Sequence, residues 1–213
     1  KENQEELNKL FSSLEFKTWI KSSSSSSSAT PEAPKLKKEY QTILAEKDLK
    51  EWAKKLDKCK VFAIDTETSS LDTMTADLIG LSLSCDEGAG CYIPINHEYE
   101  GMPTQLTLNK IQKILGTSIS NNQKKLVGQN LKFDLPILNR HGIKVEEFFG
   151  DTMLMSYVLN STGTRHGLDR MAAYYLNYET MKYEEVVGSA SKKINFAQVE
   201  IPAATFYAAE DAD

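Results

Sequence analysis

Three short stretches of this chain hold acidic side chains at spacings that allow them to act together. Asp65-Thr66-Glu67 directly follows the apolar run Val61–Ile64, which reads as a strand buried on both faces. Residues two apart on an extended segment point to the same side. Both carboxylates would then face one point at the end of a buried strand, where charge is costly unless something such as a divalent cation neutralises it. Taken alone, Asp-x-Glu is common and equally fits a strand running into a solvated turn. The second stretch, Val127-Gly128-Gln129-Asn130-Leu131-Lys132-Phe133-Asp134, reads as a strand end, a polar pair and the opening of a helix. Asp134 lies one turn after Asn130 and shares its face, or it is an acid favoured near a helix N-terminus by the dipole. In the third stretch, Tyr207-Ala208-Ala209-Glu210-Asp211, Tyr207 and Asp211 are four apart on a predicted helix. Ala204, Ala208 and Ala212 leave room there for close approach, although a core tyrosine beside a solvated aspartate would look the same.

The elements that must hold these groups follow from periodicity. Glu46–Leu56 is an amphipathic helix with Leu49, Trp52, Ala53 and Leu56 on one side. Leu78–Ser84 and Gly90–Ile95 read as strands joined through the turn residues Asp86-Glu87-Gly88. Leu108, Ile111, Ile114 and Leu115 predict a helix stopping at Gly116. A short strand over Leu126–Gly128 precedes a helix from about Phe133 to Arg140, with Pro136 in its first turn and Gly142 beyond its end. Glu147–Phe149 suggests an edge strand, and helices are expected over Met153–Leu159, Leu168–Leu176 and Pro202–Asp213. Three strands in meander order followed by alternating helix and strand predict an α/β domain with one mixed sheet and helices on its faces. Before it, apolar residues at Leu7, Leu10, Phe11 and Leu14 suggest a helix within Glu5–Ile20. Lys21, seven serines and Ala-Thr-Pro-Glu-Ala-Pro then read as a flexible tether. The expected divisions are therefore 1–20, 21–39 and 40–213.

Taken together and in this order, the three acidic stretches resemble the proofreading 3′→5′ exonuclease domain of family A bacterial DNA polymerases, the DEDD exonucleases with a tyrosine in their third motif. The matching residues are Phe62-Ala63-Ile64-Asp65-Thr66-Glu67-Thr68, Val127 through Asp134, and Tyr207 through Asp213. Tyr92-Ile93-Pro94, Asp151-Thr152-Met153-Leu154 and Arg165-His166 are lesser matches. The resemblance runs from about Tyr40 to the last residue, and residues 1–20 look like the end of the 5′-nuclease module that precedes this domain in the family. It implies an RNase H-like fold, with three antiparallel strands and then parallel ones, and release of nucleoside 5′-monophosphates from single-stranded or frayed DNA 3′ ends. It also implies two divalent ions, Mg²⁺ or Mn²⁺ with Zn²⁺ an option at one site, clamping the scissile phosphate. Asp65 would bridge both ions, Glu67 and Asp211 would hold the ion carrying the attacking water, and Asp134 would anchor the second through water. Tyr207 would orient the water, since a phenol of pKa about 10 is a poor base. Leu71 sits where the family wedges an apolar side chain against the terminal base. Gln129 and Asn130 match positions near the terminal sugar and phosphate. Tyr183 matches a base-stacking aromatic, with core packing the alternative for it and for Leu71, and Arg165 matches a phosphate contact. Phe133 replaces the tyrosine often found before the second-motif aspartate. In the family the last helix runs past the position of Asp213, so Tyr207 and Asp211 are expected to be less well held here than in a chain extended by about two turns.

Composition bears on partners. The 213 residues carry a formal charge of −5, which excludes a broadly basic nucleic-acid binder. Residues 1–58 hold 12 Lys/Arg against 10 Asp/Glu, and residues 59–213 hold 13 against 20. Two bound divalent ions would offset the four motif carboxylates and turn the most acidic spot into a phosphate receptor. Grip on DNA is then expected to be weak and local, with a polymerase domain of the same chain holding the duplex. No apolar run reaches the roughly 18–20 residues of a membrane helix. Cys59, Cys85 and Cys91 lack metal spacing and read as reduced thiols. A monomeric bacterial cytoplasmic protein near the nucleoid is expected. His97 and His141 are expected at the surface or in helix caps. The alternatives are a non-catalytic domain that binds DNA or merely spaces the polymerase, which the full set of carboxylates argues against, and a ribonuclease D-like RNA exonuclease.

Overall fold

In the computed structural model, residues 3–14, 16, 19, 37–121, 123, 125–189 and 192–213 are described. The chain divides into two units, Lys1–Pro34 and Lys35–Asp213. In the first, α1 (Gln4–Ser13) is capped by the Asn3 side chain, which accepts from the Glu6 N–H. Phe11, Phe16 and Trp19 make edge-on ring contacts at 5.1–5.3 Å. Of residues 21–39, where a tether is expected, 21–36 lie outside the described residues.

The second unit contains β1 (Glu39–Thr42), α2 (Glu46–Lys58), β2 (Val61–Thr68), β3 (Leu78–Asp86), β4 (Ala89–Pro94), α3 (Leu108–Ile119), β5 (Lys125–Gly128), α4 (Leu131–Arg140), β6 (Gly150–Asp151), α5 (Thr152–Leu159), α6 (Leu168–Met171), α7 (Tyr183–Val187) and α8 (Ile201–Ala212). The turn after α6, Ala172–Leu176, widens to a π-helix, and a 3₁₀ turn covers Phe196–Gln198. One six-stranded sheet runs in the order β1-β4-β3-β2-β5-β6. β3 is antiparallel to β2 and β4, while β5 and β6 add in parallel beyond β2. This is the expected mixed sheet. β1, not anticipated, adds in parallel to β4 at the opposite edge.

Alternation along β2 sorts its side chains. Phe62 and Ile64 join Leu81, Leu83 and Ile93 under α2, α3 and α4, where Leu49, Trp52, Leu56, Ile111, Leu115, Leu131, Ile137 and Leu138 complete the larger core. Ala63, Asp65 and Glu67 point to the other face, which α8 crosses. Its Ala204 and Ala208 pack with Ile79, Tyr92, Val187, Phe196 and Val199. Small residues bring α8 close: a Cβ on Gly90 would stand 2.9 Å from the Ala209 carbonyl. Gly80 is required for a similar reason, because the Tyr92 ring occupies the space its side chain would need.

Several boundaries differ from the sequence pattern. α3 does not stop at Gly116 but continues to Ile119, since Ser118 and Ile119 extend its buried face. α4 begins at Leu131, two residues early, so Pro136 falls beyond the first turn. Lys132, whose carbonyl loses its partner there, is exposed along with Pro136, leaving that group to water. The edge strand is Gly150–Asp151, not Glu147–Phe149, where Phe148 and Phe149 are exposed. His97 is not at the surface. It is buried between the Tyr92 hydroxyl (2.8 Å) and the Val199 carbonyl (2.9 Å). His141 does cap α4, its Nδ1 lying 2.8 Å from the Ile137 carbonyl. The three cysteines are free.

Candidate active site

β2 and α8 build the acidic centre between them. Asp65 and Glu67, two apart on β2, meet Asp211 from the last turn of α8. One carboxylate oxygen from each lies within 4.8 Å of the other two. Asp134 approaches from α4 on the far side of β2. Thr66, between the two β2 acids, points the opposite way and donates its hydroxyl to Asp134 Oδ1 at 2.5 Å. Asp134 is 2% exposed and Glu67 8%, both inside the protein surface.

Gathering acids in a desolvated space favours their neutral forms. Burial above all, then the charges of Asp134 and Asp211, hold the Asp65 carboxyl well above the usual range, against a backbone N–H of Thr66. Glu67 is raised the same way, by burial and then by Asp65, Asp211 and Asp134. Asp134 is pushed up to about 6 by burial, the Thr66 hydroxyl pulling the other way. Asp211 is pushed up to about 7 by burial, opposed by the Tyr207 hydroxyl that donates to it and reinforced by Asp169 and Glu210. Tyr207 is raised far above an ordinary phenol by burial and these carboxylates, so it keeps its proton. Among the described residues, no lysine or arginine forms an ion pair with any of the four acids. Oxygen-only donors that repel one another and lack a protein cation fit hard divalent ions.

The other sequence-flagged residues fall into two groups. Tyr183 is half-buried at the rim, stacked on Phe196 (6.3 Å, 8°) and edge-on to Tyr207 (6.0 Å), and it feels the charge of Glu67. Leu71 is 90% exposed, so core packing is not its role. Arg165 is also exposed. Gln129 has both ends of its amide engaged, donating to the His166 carbonyl at 2.8 Å and accepting from Thr152. Asn130 takes the left-handed conformation (φ 63°) at the start of α4.

Two further residues support the site. Asp151 accepts from the N–H groups of Asn130, Leu131, Met153 and Leu154 at 2.8–3.3 Å, so one carboxylate caps both α4 and α5. An acid directly before the apolar run of α5 was its signal. Phe196, under Tyr183 and Tyr207, carried none. At the end of α8, Asp213 accepts from the Tyr40 hydroxyl and the Gly88 N–H, both at 2.8 Å.

A mixed sheet of this order, with a helix crossing the face of its central strand, defines an RNase H-like fold. The same fold is found in Brucella melitensis NrnC, at a TM-score of 0.56 and 21% identity over 83% of this chain and 75% of that one. Residues 40–213 match the 3′-5′ exonuclease family model of family A DNA polymerases, and the chain belongs to that family. It is 35% identical to DNA polymerase I of Pseudomonas aeruginosa over 99% of this chain and 24% of the relative. Identity to DNA polymerase I of Borreliella burgdorferi is 40% over 82% of this chain and 18% of the relative. The chain thus spans a quarter or less of the length of these relatives. Among the described residues, no helix is long and apolar enough to cross a membrane.

Proposed function

We propose that this chain removes nucleoside 5′-monophosphates one at a time from DNA 3′ ends by metal-dependent hydrolysis, editing for a polymerase domain of the same polypeptide in the bacterial cytoplasm. The observation that carries this reading is the convergence of Asp65, Glu67 and Asp211 within 4.8 Å with no pairing cation among the described residues. Two divalent ions, Mg²⁺ or Mn²⁺, would supply positive charge at the scissile phosphate and a more acidic water there. Asp65, Glu67 and Asp211 would hold them, with Asp134 on the α4 side kept in place by Thr66. Tyr207 stays protonated, donates to Asp211 and can orient a water, not deprotonate it. Tyr183 and the exposed Leu71 offer apolar surfaces to the terminal bases, and Arg165 offers a cation to the backbone. Gln129, held by the His166 carbonyl and the Thr152 hydroxyl, and Asn130, at the start of α4, would lie near the terminal sugar and phosphate. Residues 1–20 would be the tail of a 5′-nuclease-like module, and the tether expected over 21–39 would end before Lys38 and Glu39, which are held in the folded unit.

The test is release from a labelled oligonucleotide with Mg²⁺ or with EDTA, beside Asp65→Ala. The expected result is mononucleotide release that EDTA and Asp65→Ala both abolish. Metal-independent cleavage, or undiminished cleavage by Asp65→Ala, would falsify it. Faster release from RNA than from DNA would favour the ribonuclease D-like alternative.

A further inference from the structure

Glu210, the neighbour of Asp211 on α8, is a carboxylate with only 3% of its side chain exposed. It is held by donors from two segments outside its helix. Lys38, just before β1, places Nζ 2.7 Å from Oε1. Tyr178 donates its hydroxyl to the same oxygen, and the Met181 N–H donates to Oε2 at 2.6 Å. Lys38 also lies over the Tyr178 ring, 3.8 Å from its centroid, and donates to the Tyr178 hydroxyl. A buried carboxylate is costly unless paired, yet this one stands one residue from a proposed metal ligand.

We propose that Lys38 and Glu210 form a positioning pair for the metal site, fixing the rotation of α8 so that Asp211 faces Asp65 and Glu67. Successive residues on a helix project about 100° apart. A turn of α8 that loosened Glu210 from Lys38, Tyr178 and Met181 would therefore swing Asp211 off the β2 carboxylates. The inference rests on the metal-dependent reading above. It adds to it a residue far upstream of all three motifs.

The test compares wild type, Lys38→Met, Lys38→Arg and the double variant Lys38→Gln/Glu210→Gln. Folding is checked by circular dichroism, Mn²⁺ affinity by titration calorimetry, and kcat and KM on a 3′-labelled oligonucleotide. Lys38→Met is expected to weaken Mn²⁺ binding about tenfold, the scale seen when groups supporting metal ligands are removed. It should lower kcat at limiting Mn²⁺ and leave KM for the oligonucleotide within about twofold. Lys38→Arg should restore both. If Lys38→Met does not fold, the double variant, which exchanges the ion pair for amides, carries the same readouts. Wild-type Mn²⁺ affinity in a folded variant lacking the ion pair overturns the proposal, as does failure of both variants to fold. A wild-type protein that neither binds Mn²⁺ nor cleaves would instead sink the functional reading.

Discussion

Replacing Asp211 by Asn removes one charge from the buried cluster while leaving an oxygen to accept from Tyr207. In the metal-free protein Asp211 is pushed from 3.8 to about 7, chiefly by burial. Between those two values the folded chain keeps a proton that the unfolded chain has released, so stability falls as pH rises from about 4 to about 7 and then levels off. Three pKa units correspond to ~4 kcal/mol. Asp211 is partly open to solvent, and screening there reduces this to ~2 kcal/mol. At about 2–4 °C per kcal/mol for a chain of this size, Asp211→Asn in EDTA at pH 8 should melt roughly 4–8 °C above wild type. At pH 4 the two should coincide. Mg²⁺ should reverse the order by stabilising wild type more, and cleavage by the variant should be lost. A variant no more stable than wild type at pH 8, or an equal gap at pH 4, would refute the account of the cluster as charge-strained.

Two other substitutions probe separate parts of the site. Thr66→Val removes the hydroxyl that holds Asp134 below the pKa its burial would impose, so the acid limb of the pH–rate profile should move to higher pH. Stability should fall by about 1–3 kcal/mol in urea melts, and an unmoved limb would mean Asp134 does not titrate in catalysis. Leu71→Ala, at a 90% exposed position, should leave stability within about 0.5 kcal/mol while raising KM for single-stranded oligonucleotides. A large drop in melting temperature with unchanged KM would place Leu71 in structure, not recognition.

What could be read in advance depended on range. The pairing of Asp65 with Glu67 follows from the two-residue period of a strand and needed no tertiary knowledge. That Tyr207 and Asp211 share a face follows likewise from the helical period. β1 escaped notice because Glu39-Tyr40-Gln41-Thr42 is polar and its partner β4 lies far along the chain. His97 was misplaced because nothing local shows that Tyr92 and the Val199 carbonyl close over it. The Lys38–Glu210 pair is equally invisible: a lysine near a tether and a glutamate in an apolar helix look solvated until the sheet brings them together. Gly116 and Pro136 misled in the opposite sense, since buried contacts on α3 outweighed a local stop signal and an open face on α4 let the helix start before the turn that the proline marked.

The three converging acids come from the second strand of the sheet and from α8, with most of the unit lying between them. Contacts so distant along a chain form late, after the intervening segments have closed. A ribosome would therefore complete the acidic cluster only when α8 emerges. Until then the growing polypeptide holds Asp65, Glu67 and Asp134 without Tyr207 or Asp211. Asp65 and Glu67 therefore gain Asp211 as a neighbour only after α8 has been made, so the three-carboxylate cluster belongs to the folded unit and not to any shorter stretch of it.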